Sequence, residues 1–161
     1  MKQYYLNNNE LILKVKKSPF FIRLIMFLFS FLFFLAPILG LFFSFYLKQK
    51  FHFGFLIGIG IFGLLGFYML RVSLWNTYGI EKITFNKNSV TYIADYKWFK
   101  DRVETEEIDS MFFSIVPVEY EEDHTGVLKI DLNSYTIECT TKMSILEIEE
   151  LIKELDVKLN L

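Results

Sequence analysis

The side chains able to do covalent or acid–base chemistry in this chain are few and scattered. His52 and His124 are its two histidines and Cys139 its one cysteine. His52 falls at the edge of an apolar run and His124 in an acidic stretch. Neither belongs to a nucleophile–base arrangement, so a surface histidine is the plainer reading of both. Cys139 alternates with apolar residues in a strand pattern and reads as a buried core thiol rather than a nucleophile. One cysteine permits no intramolecular disulfide, which is compatible with a cytosolic domain. Glu119, Glu121, Glu122 and Asp123 offer the oxygen ligands that hard cations take. They lack the alternating D-x-D-x-D-G order of a calcium loop and read as a solvated loop between strands. No Gly-rich phosphate loop follows a strand, and neither H-E-x-x-H nor a paired-cysteine spacing occurs. The expectation is a protein that is not an enzyme and needs no cofactor or metal.

Two other sets of residues suit binding. Lys82, Lys87, Lys97, Lys100 and Arg102 are five of the nine basic residues after position 80, with Trp98 and Phe99 among them. Near an anionic membrane each such cation contributes about 1 kcal/mol, and tryptophan favours the lipid–water interface. The set could therefore meet lipid headgroups or a partner; the plainer alternative is an ordinary exposed hairpin with Trp98 in the core, and Trp98 is expected there. The second set is glycine. Gly54 and Gly58 are spaced i, i+4, and Gly60, Gly63 and Gly66 follow at i, i+3, i+6 on another side of a helix. Small residues let helices approach closely in lipid, so one face can pack within the chain and another on a second copy or a membrane-protein partner. Glycine is also simply common in membrane helices.

The elements that must carry these sets divide the chain. Hydrophobic residues make up 53% of it and aromatics 19%, with 19 Phe, more apolar surface than a soluble chain of 161 residues can hide. The surplus is concentrated. Residues 24–47 would span about 36 Å as a helix, at about 1.5 Å per residue, against a hydrocarbon core about 30 Å thick. Pro37 and Gly40 are the expected kink. Residues 51–70 form a second apolar run after Lys48, Gln49 and Lys50. The reading is a transmembrane hairpin over 20–70, with helices at about 20–47 and 51–70. The first apolar run is too long, and starts too late, for a cleaved signal.

Charge divides the chain the same way. Up to residue 80, eight basic residues face Glu10 alone; after it, nine face 18 acidic ones. The net −2 thus joins a basic membrane half to an acidic soluble half, and an acidic domain argues against nucleic acid. Lys14, Lys16, Lys17, Arg23 and Arg71 outnumber Lys48 and Lys50, which places both termini and the soluble domain in the cytosol by the positive-inside rule. Residues 1–19 read as an Asn-capped interfacial helix, with Leu11, Ile12 and Val15 toward lipid. The alternative is that 3–6 or 11–15 adds a strand to the later sheet.

After residue 70 the apolar period becomes two. A turn at 86–89 sets Phe85 opposite Val90 and Ile83 opposite Tyr92. The second strand continues through Ala94, Tyr96 and Trp98 on one face, with a further turn at Lys100 and Asp101, and 111–118 reads as a buried strand. A turn at Asn133 and Ser134 sets Leu132 opposite Tyr135, Ile130 opposite Ile137 and Leu128 opposite Cys139, with Lys129 across from Glu138 outside. Ser144 and Glu147 make a capping box, with Met143 and Ile148 as its staple. Ile148, Leu151, Ile152 and Leu155 share the apolar face of the helix that follows. The fold class is a membrane α-helical hairpin plus an α+β soluble domain over 71–161. In that domain an antiparallel sheet or open barrel of about five strands is closed by a C-terminal amphipathic helix.

This order resembles the small bacterial pleckstrin-homology-like membrane proteins, including the YcxB-like group. The resemblance rests on the exit at Leu70 and Arg71, on Leu74, Trp75 and Asn76, and on the strand entry from Tyr78 through Glu81. Tyr96, Lys97, Trp98 and Phe99, and the helix after Ser144, complete it. It covers most of 20–158 and implies a binding or scaffold role at the membrane. The partners expected are membrane lipids, a second copy or a membrane protein; an accessory subunit of a transport or envelope-stress complex is the alternative.

Overall fold

The computed structural model of the chain describes residues 2–48, 53–118, 124–132 and 135–159. His52, the acidic run from Glu119 to Asp123 and the turn residues Asn133 and Ser134 lie outside these. The described chain falls into two units, Lys17–Thr77 and the pair Met1–Lys16 with Tyr78–Leu161.

The first unit consists of two helices, α1 (Phe20–Tyr46) and α2 (Gly54–Tyr78). Pro37 is accommodated inside a single α1. Both helices are long and apolar enough to cross a membrane, and only 6% of the most apolar stretch of each is buried. They run antiparallel. Ser30 Oγ donates to Gly66 O at 3.0 Å and Ser18 Oγ lies 3.4 Å from Asn76 Oδ1. The Phe33 and Phe62 rings meet at 6.0 Å. Helix α2 runs eight residues past the expected end at Leu70. Falling hydropathy marks a change of surroundings, not a helix stop, and the first breaker is Gly79. Ser73, Asn76 and Thr77 bond back to the carbonyls of Met69, Val72 and Ser73 at 2.6, 2.9 and 2.7 Å, so polar side chains ride on the helix without unwinding it.

Among its described residues the second unit holds nine strands and one helix. The strands are β1 (Tyr4–Leu6), β2 (Glu10–Lys14), β3 (Ile80–Phe85), β4 (Ser89–Asp95), β5 (Lys100–Glu107), β6 (Phe112–Pro117), β7 (Thr125–Leu132), β8 (Tyr135–Glu138) and β9 (Met143–Ser144); the helix is α3 (Ile145–Leu159). Two antiparallel sheets result, one in the order β1-β2-β3-β4-β5, the other β6-β7-β8 with β9 also on β7. The antiparallel five-stranded sheet and the C-terminal helix fit the expected layout, and a second sheet adds to it; residues 4–14 are two strands, the alternative reading, and not an interfacial helix. Leu11 and Leu13 alternate with Glu10, Ile12 and Lys14 and are fully buried.

The local registers follow the apolar pattern. Phe85 faces Val90 and Ile83 faces Tyr92; Leu132 faces Tyr135 and Ile130 faces Ile137. Lys129 does face Glu138, but its ammonium pairs with Asp131 of its own strand at 2.9 Å. Strand β6 is half-exposed rather than buried, with only Met111 before it in the core. Ile148, Leu151 and Leu155 of α3 are fully buried. At Gly126 β7 passes close against β6: a Cβ there would lie 2.9 Å from Ile115 Cγ2 and 3.0 Å from Val116 O. Of the capping box, only the bond from Glu147 N to Ser144 Oγ forms, at 3.3 Å. The Glu147 carboxylate instead accepts from Gln3 N at 2.5 Å, and Glu150 and Glu154 take Lys2 at 2.9 and 3.3 Å. Helix α3 thus covers the β1 edge, which would otherwise offer unpaired backbone.

Candidate functional site at the β4–β5 tip

One transverse row of the first sheet places the site: Lys14 faces Ile80, Ile80 faces Asp95, and Asp95 faces Lys100. At this end the chain leaves β2 toward α1 and returns from α2 into β3, and Val15 N donates to Gly79 O at 3.1 Å to close the two passages. The β4–β5 connection, 96–99, lies at the same end.

The tip is built from its own residues. Tyr96, the first residue past β4, is buried, its ring 5.7 Å from Phe99 and its hydroxyl donating to Asp101. Asp95 Oδ1 accepts the backbone N–H of Lys97 at 3.0 Å, an Asx-type turn. Lys97 adopts a φ of 75°, and Trp98 N and Tyr96 N close the loop on Tyr96 O and Phe99 O at 2.9 and 3.0 Å. The left-handed residue breaks the strand period. Trp98, expected in the core, therefore points outward and is 63% exposed. The turn is at 96–99, and Lys100 and Asp101, expected as the turn, open β5. The Lys97 ammonium sits 4.5 Å from the centre of the Tyr78 ring, a cation–π contact. Lys14, Lys16, Lys97 and Lys100 are all exposed at this end, and none forms an ion pair with a described residue. The nearby carboxylates, Asp95 and Asp101, are committed to the turn.

The other predicted basic residues lie elsewhere. Lys87 is in the β3–β4 turn at the far end of the sheet, roughly 17 Å away by strand rise. Lys82 is half-buried in mid-strand between Ile12 and Ile93. Arg102 is exposed but engaged by its neighbours. It has a φ of 51° at the β4–β5 register shift, and its guanidinium lies 5.6 Å from the Tyr92 ring, 3.8 Å from Glu104 Oε1 and 3.5 Å from Glu138 O. It links β5 to β8. Sequence reasoning missed Lys14 and Lys16, because the strand that brings them here was only the alternative to an interfacial helix, and Tyr78, because α2 was ended too early.

It also missed a fully buried carboxylate. Glu81 accepts from the Tyr92 hydroxyl, from Thr140 N and Oγ1 at 2.6 and 2.7 Å, and from Thr141 N at 3.0 Å. The signal was present: Glu81 shares the inward parity of Ile83 and Phe85. Desolvation and then the Glu81 charge push the Tyr92 phenol up. Burial, and then Glu81, push the Cys139 thiol well up, so this buried sulfur is held as the thiol, not the reactive thiolate. His124, exposed with a φ of 44°, offers its backbone oxygen to Ile145 N at 2.9 Å. No group of three His, Cys, Asp or Glu that could hold a metal ion occurs among the described residues.

In the helical unit the glycines separate. A Cβ on Gly66 would stand 3.0 Å from the Phe34 ring, whereas Gly54, Gly58, Gly60 and Gly63 have nothing within 4 Å. Of these glycines Gly66 alone meets α1, and its expected companions Gly60 and Gly63 do not join it.

Compared with protein families, with curated proteins and with solved structures, the chain matches none.

Proposed function

We propose that the protein is a membrane-anchored, non-enzymatic binding or scaffold module. In this reading α1 and α2 cross the bilayer as a hairpin, and a cytosolic pleckstrin-homology-like β unit meets lipid headgroups or a protein partner beside the membrane. One observation carries the reading: β2 and β3 are neighbours in one ladder, with Lys14 opposite Ile80, although two long apolar helices lie between them in the chain. A chain that leaves a sheet and returns to the adjacent strand crosses any intervening bilayer an even number of times, so two helices bring both ends back to one side. Core helices of soluble proteins are mostly buried, unlike these. Cleaving α1 as a signal would strip β1 and β2 from the sheet. Backbone in hydrocarbon must satisfy its own hydrogen bonds, as helices do. The surplus of Lys and Arg at the shared end supports the cytosolic side. Two antiparallel sheets closed by α3 support the pleckstrin-homology-like reading.

The test is residue accessibility. With Cys139→Ala as background, Asn8→Cys and Leu146→Cys place single thiols at exposed positions before and after the helices. Both are expected to react with a membrane-impermeant maleimide from the same, cytosolic face, and the chain to stay with membranes through alkaline carbonate. Labelling from opposite faces, or a chain monodisperse in buffer without detergent, overturns the reading. A second reading, an accessory subunit of a membrane transport or envelope-stress complex, is favoured by the open faces of Gly54, Gly58, Gly60 and Gly63. Copurification of a larger membrane protein, lost on Gly58→Leu, would support it.

A further inference from the structure

We infer that the β4–β5 tip is an interfacial anchor for anionic phospholipid, with Trp98 entering the headgroup–acyl boundary and Lys97, Lys100, Lys14 and Lys16 facing lipid phosphates. The inference rests on the membrane reading above and adds to it a ligand chemistry for one face of the β unit.

The observations converge from independent directions. Trp98 is a large, mostly exposed aromatic at the summit of a turn whose neighbours Tyr96 and Phe99 are packed against each other. The Asp95 cap on Lys97 and the left-handed backbone at that residue hold Trp98 outward in the folded state. An amphipathic indole suits the boundary between headgroups and chains. Around it, the exposed side chains carry four positive charges without ion-pair partners among the described residues. The carboxylates of this end, Asp95 and Asp101, are occupied by Lys97 N and the Tyr96 hydroxyl. The acidic residues lie further along β5, at Glu104, Glu106 and Glu107, and on α3, where Glu147 and Glu150 hold Gln3 N and Lys2 at the β1 edge. The sign of charge therefore changes along β5, from Lys100 at the tip to Glu107. The positive, aromatic pole is the end from which the apolar helices depart, through Lys14 to α1 and through Tyr78 from α2. That tether supplies the surface at high effective concentration, so weak contacts suffice. The cations act as point charges toward phosphate, a general attraction to anionic lipid rather than recognition of one headgroup.

The experiment uses the full chain in vesicles and the fact that it has two tryptophans. Trp75→Phe leaves Trp98 as the single fluorophore. In phosphatidylcholine vesicles containing phosphatidylglycerol and lipids brominated near the carbonyl end of the chain, Trp98 emission should be quenched and blue-shifted. In phosphatidylcholine alone it should be quenched far less. Lys97→Gln with Lys100→Gln should lower the docking equilibrium by about 25-fold, about fivefold per charge, and the paired Lys→Arg variants should restore it. Raising ionic strength from about 0.1 M to about 1 M, which shortens the screening length from about 10 Å to about 3 Å, should mimic the loss. A parallel reporter, Leu64→Trp in a chain with Trp75→Phe and Trp98→Phe, places one tryptophan on α2 at a position 73% exposed and reads helix insertion against deeply brominated lipid. If Leu64→Trp is quenched and Trp98 is not, the anchor is overturned and the membrane reading stands. Quenching of Trp98 that ignores lipid charge, salt and the lysines also overturns the anionic contact. If Leu64→Trp is unquenched, the membrane reading fails and takes the anchor with it.

Discussion

Glu81 occupies a position where the alternation of β3 calls for a hydrophobe. A carboxylate removed from water is tolerable only with donors around it, and here Tyr92, Thr140 and Thr141 provide them. Its partners come from β4 and from the segment after β8, so one side chain ties the first sheet to the second. Glu81→Ala would leave the Tyr92 hydroxyl and the Thr141 N–H buried, and the Thr140 N–H half-buried, without an acceptor. At about 1–3 kcal/mol each, the loss is expected to reach at least about 3 kcal/mol. Glu81→Gln keeps one oxygen and should cost clearly less. Thermal unfolding of the full chain in detergent, followed by near-ultraviolet circular dichroism, measures both; a neutral Glu81→Ala would refute the role. The same cluster sets an alkaline limit. Because the folded Tyr92 phenol is raised above its unfolded value, the unfolded state ionises first. Its contribution is intact below about pH 10 and is lost as pH climbs through the folded value. Tyr92→Phe should flatten the fall of stability above about pH 10. Some slope should persist from Tyr4 and Tyr135, also raised; an unchanged slope would exclude Tyr92 as a source.

At the scale of elements, what could be read from sequence depended on whether a local rule decided the outcome. The β3–β4 and β7–β8 registers are local contests between apolar parities, and the alternation settles them. The Trp98 turn is not. Its parity reads inward until a single αL residue, capped by Asp95, redirects the chain. The helix pair has a similar division. Composition marks both helices, but which glycine meets α1 depends on their rotation, which the spacing leaves open between two faces. Gly66 holds that contact with Phe34 and Ser30. Gly66→Leu should overpack it by about 1–3 kcal/mol, whereas Gly58→Leu should leave the pair intact. Phe33→Cys with Phe62→Cys, in a Cys139→Ala background, joins two positions whose rings lie 6.0 Å apart and reads the pairing by crosslinking. The yield should drop several-fold with Gly66→Leu only, and an equal drop with Gly58→Leu would refute the assignment.

Across the whole molecule, composition and periodicity determined that two long apolar helices precede an acidic, antiparallel α+β region. Both follow from nearest-neighbour chemistry: runs of Phe, Leu and Ile cannot be solvated, and a period of two has only one way to bury its face. The tertiary structure alone decided between an interfacial helix and added strands for the first residues. Leu11 and Leu13 are too few to settle it, and their partners Ile83 and Glu81 lie beyond both helices. Only closure of the sheet can reward that pairing, because its free energy comes from burial against residues remote in sequence. That same closure sorted the basic residues, bringing Lys14 and Lys16 to Trp98, Lys97 and Lys100 and sending Lys87 to the opposite end. Which charges share a surface is a property of strand order, which no residue's own neighbourhood encodes.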